Sequence, residues 1–508
     1  MADAPLTVRL HGEDNVVVAR LAIMENTPLP GEGIRTRQRI PAGHKVATRP
    51  IEAGEPVRKY DQVIGFAGEA IQPGEHVHVH NVELRDFARD YAIGSAVRPT
   101  TMVPEAERAA FEGFVRPNGK VGTRNYIGIL STVNCSASVC KFIQQSLPAD
   151  AIAAYPSVDG VVALTHSTGC GLADRGDGFD ALQRTLWGFA RQPNFAGVLM
   201  IGLGCEVNQI DFLLEAYGIE RGPHFRTMNM QDLGGTRRTV DHALGMIREM
   251  LPHAAEARRE TVSASELSLA LQCGGSDAWS GITANPALGH AADILATHGG
   301  TSILAETPEI YGAEHLLTRR AVSPEVAERL IERIRWWEDY TARNGGEMNN
   351  NPSPGNKAGG LTTILEKSLG AAAKGGTSNL TGVYKYAEPV TAKGFTFMDS
   401  PGYDPASVTG QVASGANLIA FTTGRGSCFG FKPVPSLKLA TNSAMYERMA
   451  DDMDVNCGDI LDGNASIESK GREIFELCLK VASGEPSKSE ALGVGDHEFI
   501  PWQIGAVM

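Results

Sequence analysis

The chain has 508 residues, enough for two to four domains at roughly 100–200 residues each. It carries 46 Lys plus Arg against 59 Asp plus Glu, a formal charge of −13, which disfavours nucleic acid and anionic membrane surfaces as partners. A hydrophobic fraction of 42%, no apolar run near the ~18–20 residues of a membrane span, and a start (MADAPLTVRLHGEDN) without a signal-peptide pattern suggest a soluble cytoplasmic protein.

Residues 1–90 read as a small β-rich module. Short apolar runs (LTVRL, NVVVARLAI, HKVATRPI, EHVHVHN) alternate with the turn signals PGEG, PAG, EAGEP and QPGE. Residues 91–115 lack a clear period and are the best linker candidate. From 116 to 258, and again from 259 to 508, strand-like runs such as YIGILST, GVVALT, GVLMIGLG and SLALQCG alternate with longer helical stretches. That alternation predicts two α/β portions built on mostly parallel sheets.

Within the first module EHVHVHN alternates strictly, so one strand face would carry His76, His78 and His80. Neutral imidazoles are common ligands for divalent metals, and His11 and His44 would join them if the module folds back on itself. The competing reading is a solvated edge of imidazoles.

Cys135, Cys170 and Cys205 are spaced 35 residues apart, about one strand–helix unit, and each falls at or just past the end of a strand-like run. Cys273 does the same after SLALQ. Cysteine as a small hydrophobe at crowded strand ends explains this. So does a shared site at the carboxyl ends of strands, with or without metal. The absence of CxxC pairs argues against a zinc ribbon.

Glycine-rich stretches carry the strongest chemical signal. IGLGCEVNQ (with Glu206) and CGGSDAWSGITANP (Gly274, Gly275, Ser276 and Asp277) each follow an apolar strand, and small residues there present backbone N–H groups to an anion. NPSPGNKAGG places Asn356 and Lys357 on a Pro/Gly loop. FTTGRGSCFG sets Arg425 between two glycines, where its guanidinium has room to fork onto a carboxylate. None of these matches a dinucleotide or P-loop fingerprint, so no nucleotide cofactor is expected.

Together GHKVA, RPNGKVGTRNY, HSTGCG, IGLGCEVNQ, QCGGSDAWSGITANP, ETPEIYGAEHLL, NPSPGNKAGG and FTTGRG resemble the altronate and galactarate dehydratase family, from about residue 9 to past 460. The resemblance implies an N-terminal antifreeze-like (SAF) β module followed by two α/β portions. It also implies an iron(II)- or manganese(II)-dependent hydro-lyase that converts a sugar acid to a 2-keto-3-deoxy acid. EHVHVHN and GRGSCFGFKPVPSLKLATNS look like the altronate branch, whereas YPSVDGVVAL and RAVSPEVAERL look like the galactarate branch; altronate is the first expectation. A sulfolactate-type lyase and a non-catalytic sugar-acid receptor are further readings.

The chemistry supports such a site. Removing the C2 proton beside a carboxylate creates a dianionic enediolate, which a divalent cation stabilises, and the 3-hydroxyl needs a general acid to leave. His166 and Lys357 are candidates for base or acid, in either order. Arg425, Gly274, Gly275, Ser276, Asp277, Asn356, Cys170 and Glu206 are candidates for binding substrate. His11, His44, His78 and His80 are candidate metal ligands, with the thiols of Cys135, Cys205 and Cys273 as the alternative. A homo-oligomer is the expected assembly.

Overall fold

The computed structural model describes residues 5–87 and 89–507; residues 1–4, 88 and 508 lie outside the description. The N-terminal module is β-rich. Thr7–Val8, Val16–Ala19, Lys45–Ala47 and His76–Val77 form a four-stranded antiparallel sheet, and Pro56–Lys59, Gln62–Ala67 and Val82–Glu83 form a three-stranded one. Val16–Ala19 is buried along its whole length, as a continuous apolar run requires when both faces are covered. Val16 packs with Ala313, Leu369 and Ala372, and Val18 with Trp279 and Ile282. The module is therefore docked on the C-terminal portion.

The stretch read as a linker ends in a strand, Ala110–Val115. It pairs with Val121–Gly122 and with Arg259–Ser263 in a small antiparallel sheet that brackets the second portion. That pairing was hidden because its partner strand lies far away in sequence. The second portion has a four-stranded parallel sheet, in the order Gly160–Leu164, Tyr126–Ser131, Phe195–Gly202, Phe225–Asn229.

The C-terminal portion is built on seven parallel strands, in the order Leu380–Tyr384, Gly394–Met398, Thr301–Leu304, Ser268–Cys273, Leu418–Thr423, Ser436–Ala440, Val455–Asn456. The SAF-like module followed by two α/β portions is thus the architecture of the chain. One apolar core runs through both α/β portions, joining Leu130, Phe189 and Met200 to Ile303, Val408 and Phe421.

In the seven-stranded sheet the chain leaves Ser268–Cys273 toward one edge and Leu418–Thr423 toward the other. These two neighbours mark the point where the winding reverses, and ligands of open α/β sheets bind outside the carboxyl ends of such strands.

Candidate functional site

Both glycine loops meet at that reversal point. The Gly274 N–H donates to Thr422 O (3.1 Å), and the Gly424 and Arg425 N–H groups both donate to Gly275 O (3.2 and 2.9 Å). Gly275 has φ +61°, and a Cβ on Gly424 would lie 2.1 Å from Asp277 Cγ, so these positions require glycine. Among the described residues neither the Gly275 nor the Ser276 N–H donates a hydrogen bond within the protein. Two adjacent free N–H groups at a strand end suit a carboxylate. Arg425 is exposed beside them.

Asp277 is a brace. Its buried carboxylate accepts from the Trp279 and Ser280 N–H groups (3.0 Å each), from Thr441 Oγ1 (3.0 Å) and from Asn442 Nδ2 (3.2 Å). Asn356 is another, donating from Nδ2 to Ser276 O (2.7 Å) while its Oδ1 accepts from the Ser353 N–H (2.9 Å). These bonds seat the short helix Pro354–Ala358, with half-buried Lys357, against the first glycine loop. Both side chains are thus committed to holding the loops.

The imidazoles arrive from the N-terminal module. The Ala278 N–H donates to Gly359 O (2.9 Å), and a Cβ on Gly43 would lie 3.2 Å from the Ala278 Cβ. His44 follows, with Nε2 3.4 Å from Ala358 O and Nδ1 2.9 Å from His76 Nε2. His44, His76 and His78 each place a ring nitrogen within 4.8 Å of the others. His80 stands beside this trio, its ring centroid 5.3 Å from that of His76. His11 does not join it. Its ring accepts from the Glu13 N–H (3.3 Å) and faces Asp61 at 4.0 Å.

The expected alternating strand stops after Val77, because Asn81 folds the segment into a turn. The His78 N–H donates to Asn81 Oδ1 and Asn81 Nδ2 donates to His76 O, both at 2.9 Å. The turn leaves Val79 exposed and swings His78 toward His44.

These imidazoles suit a cation. Burial, then the neighbouring His44, lowers the pKa of His76 to about 4. Burial and Lys45 lower that of His78 to about 3, so both rings are neutral near pH 7. His78 Nδ1 is buried without a hydrogen-bond partner. An unpartnered lone pair amid neutral imidazoles fits a divalent metal.

Beneath the first glycine loop lies a charged layer that the sequence reading did not assemble beyond Cys273. Lys374 Nζ donates to Cys273 Sγ (2.8 Å) and to Glu306 Oε2 (3.3 Å), and Lys367 Nζ donates to Glu309 Oε1 (2.6 Å). Burial and the nearby Glu309 push the Glu306 carboxyl well above its ordinary range and Asp404 up to about 7. Glu306 adopts φ +71°, a left-handed conformation rare outside glycine. The two ammonium groups already compensate the Cys273, Glu306 and Glu309 group. The αL residue just past a strand was a possible signal, but one visible only in the backbone.

The remaining candidates lie in the second portion. His166 is buried, with Nε2 3.0 Å from Ser131 O, Nδ1 accepting from the Thr168 N–H (3.3 Å), and its ring against Phe499. Glu206 accepts from Thr132 Oγ1 (2.7 Å) and from the Leu203 and Gly204 N–H groups. Cys135, Cys170 and Cys205 are exposed on the same edge of that sheet. None of these hydrogen bonds reaches the glycine loops at the reversal point.

Comparison with known proteins agrees with this architecture. The SAF domain of altronate/galactarate dehydratases matches residues 5–85, the second domain of D-galactarate dehydratase/altronate hydrolase matches 113–255, and the D-galactarate/altronate dehydratase C-terminal domain matches 264–507. Altronate dehydratase of Bacillus subtilis is 35% identical over 484 residues, 94% of this chain and 95% of that protein. Galactarate dehydratase (L-threo-forming) of Escherichia coli is 37% identical over 94% of this chain and 93% of its own length. The (2R)-sulfolactate sulfo-lyase subunit beta of Chromohalobacter salexigens is 32% identical over 78% of this chain and 98% of its own. The chain belongs to the altronate/galactarate dehydratase family of sugar-acid dehydratases, which are carbon–oxygen lyases.

Proposed function

We propose that the chain dehydrates a sugar acid to a 2-keto-3-deoxy acid between its imidazole trio and its glycine loops, with D-altronate as substrate. The observation that carries this reading is the seating of His44 on Ala358, which sets a neutral, partly unpartnered imidazole cluster beside Lys357 and the Gly274–Asp277 loop. His44, His76 and His78 would hold iron(II) or manganese(II), and that ion, when bound, supplies Lewis-acid polarisation of the substrate carboxylate.

The rest is assigned to the chain's own side chains and backbone. Arg425 and the free Gly275 and Ser276 N–H groups fix the carboxylate. Lys357 moves the C2 proton. Proton transfer is not assigned to His166, since both of its ring nitrogens are engaged away from the loops. Galactarate is the second reading, favoured by the 37% identity to the galactarate enzyme.

The test is incubation of the full chain with D-altronate and, separately, galactarate, under iron(II) and reductant. A 2-keto-3-deoxy acid from altronate supports the first reading, and product from galactarate alone supports the second. Saturable binding without product from either overturns the assignment as a dehydratase of these acids.

A further inference from the structure

Three thiols outside the site above share one edge of the second portion. Cys135, Cys170 and Cys205 follow Tyr126–Ser131, Gly160–Leu164 and Phe195–Gly202, which are neighbours in one parallel sheet. Their 35-residue spacing is therefore one strand–helix unit around adjacent strands, and all three leave the sheet at its carboxyl edge.

Hydrogen bonds tie the three loops together. The Asn134 N–H donates to Thr168 O (2.9 Å), the Asn208 N–H to Gly169 O (3.1 Å), and Asn208 Nδ2 to Thr132 O (3.1 Å). The approach is close enough to require glycine. A Cβ on Gly169 (φ +100°) would lie 2.2 Å from Thr132 O and 2.7 Å from the Val133 Cα. Buried Glu206 pins the Cys205 loop to Thr132 through the bonds described above.

The thiols themselves suit metal binding. All three are free and exposed. Cys135 sits in the first turn of helix Asn134–Gln145. Gln231 Nε2 donates to Cys205 Sγ at 3.2 Å, the type of bond that tunes a cluster sulfur.

We propose that Cys135, Cys170 and Cys205 hold a four-iron, four-sulfide cluster, with the fourth iron left to water or another oxygen ligand. Soft thiolates select iron–sulfur clusters, zinc or copper(I). A single tetrahedral metal with bonds of about 2.3 Å needs its sulfurs within about 4 Å of each other. Among the described residues only two groups bring three candidate ligand atoms within 4.8 Å, and neither contains these thiols. A cluster places each thiolate on a separate iron and accepts the wider triangle. Assembly takes two ferrous ions, two ferric ions and four sulfides from solution. Three iron–thiolate bonds form, three thiol protons leave, and the cysteines keep their oxidation state.

The test is anaerobic reconstitution of the full chain with ferrous and ferric iron and sulfide, after removal of excess reagent. The wild type is expected to retain about four irons and about four sulfides per chain, with the visible absorption of a cluster. The Cys135→Ser, Cys170→Ser, Cys205→Ser triple variant is expected to lose that absorption while melting with the metal-free wild type. Cys170→Ser alone provides the same comparison with one substitution on an exposed loop. His76→Gln is expected to keep the absorption, which separates this site from the imidazole trio. A wild type that retains no iron and sulfide, serine variants that keep the cluster, or one tightly held zinc in its place would overturn the proposal.

Discussion

Arg425 reaches solvent from a loop whose backbone is committed to Gly275, and the carboxylates of Asp399 and Asp404 are engaged elsewhere. Asp399 accepts from Thr307 Oγ1 and Trp337 Nε1, and Asp404 lies in the layer of Glu309, Lys367 and Lys374. Lysine at this position keeps the charge and loses the planar fork. Arg425→Lys is expected to cost roughly 1.5–3 kcal/mol in kcat/KM, the range for a charge-assisted hydrogen bond, with an unchanged melting temperature. Steady-state kinetics and a thermal melt on one sample check this, and unchanged kinetics would remove Arg425 from the site. Glu366 is the opposite case, a fully buried carboxylate between Lys45 Nζ (2.9 Å) and Lys59 Nζ (3.0 Å). Burial alone would raise its pKa, but the two ammonium groups outweigh burial and hold it well below the carboxylate range. Glu366→Gln leaves two buried lysines short of their counter-charge and is expected to cost about 3–5 kcal/mol. Denaturant unfolding would show it, and a loss under about 1 kcal/mol would contradict the role given to this triad.

At the scale of single elements, the loop after Gly160–Leu164 carries a testable pH dependence. Burial lowers the pKa of His166 to about 4, while its Nε2 bond to Ser131 O opposes that shift. Above the ordinary histidine pKa of about 6.5 both folded and unfolded forms are neutral, so stability does not respond to this group. Between about 6.5 and about 4 the unfolded chain takes the proton and the folded chain does not, so stability falls by up to ~1.4 kcal/mol per pH unit. Melting temperature against pH for wild type and His166→Gln should differ in slope across that window, and parallel curves would contradict it. The glycine loops were legible in the sequence because each follows an apolar strand-like run and several carry charged residues, although a glycine loop taken singly is more often a plain turn. The histidine strand was legible in composition but not in shape. The side chain of Asn81 competes with the strand ladder, and the resulting turn decides which imidazoles meet. The layer of Glu306, Glu309, Lys367 and Lys374 could not be read, since only the sheet order brings those residues under Gly274.

Across the whole molecule, the proposed site depends on docking. The N-terminal module contributes Lys45 and Lys59 to Glu366, Val16 and Val18 to shared apolar clusters, and Gly43 to the contact with Ala278 and Gly359. Sequence analysis found the β module, both parallel α/β portions and the family. It could not find which surfaces meet, because no local pattern encodes the pairing of Ala358 with His44, some 300 residues apart. Docking sets the imidazole trio against Ala358 and Gly359 of the C-terminal portion, which is where the proposed site would lie. The most direct test is metal dependence measured with and without that trio. Wild-type protein stripped by a strong chelator is expected to lose turnover of its sugar acid and to regain it with iron(II) or manganese(II). His78→Gln is expected to melt within a few degrees of wild type, yet to bind less metal and turn over at least tenfold more slowly at the same metal concentration. Full turnover in the stripped wild type, or an undiminished His78→Gln, would contradict the account.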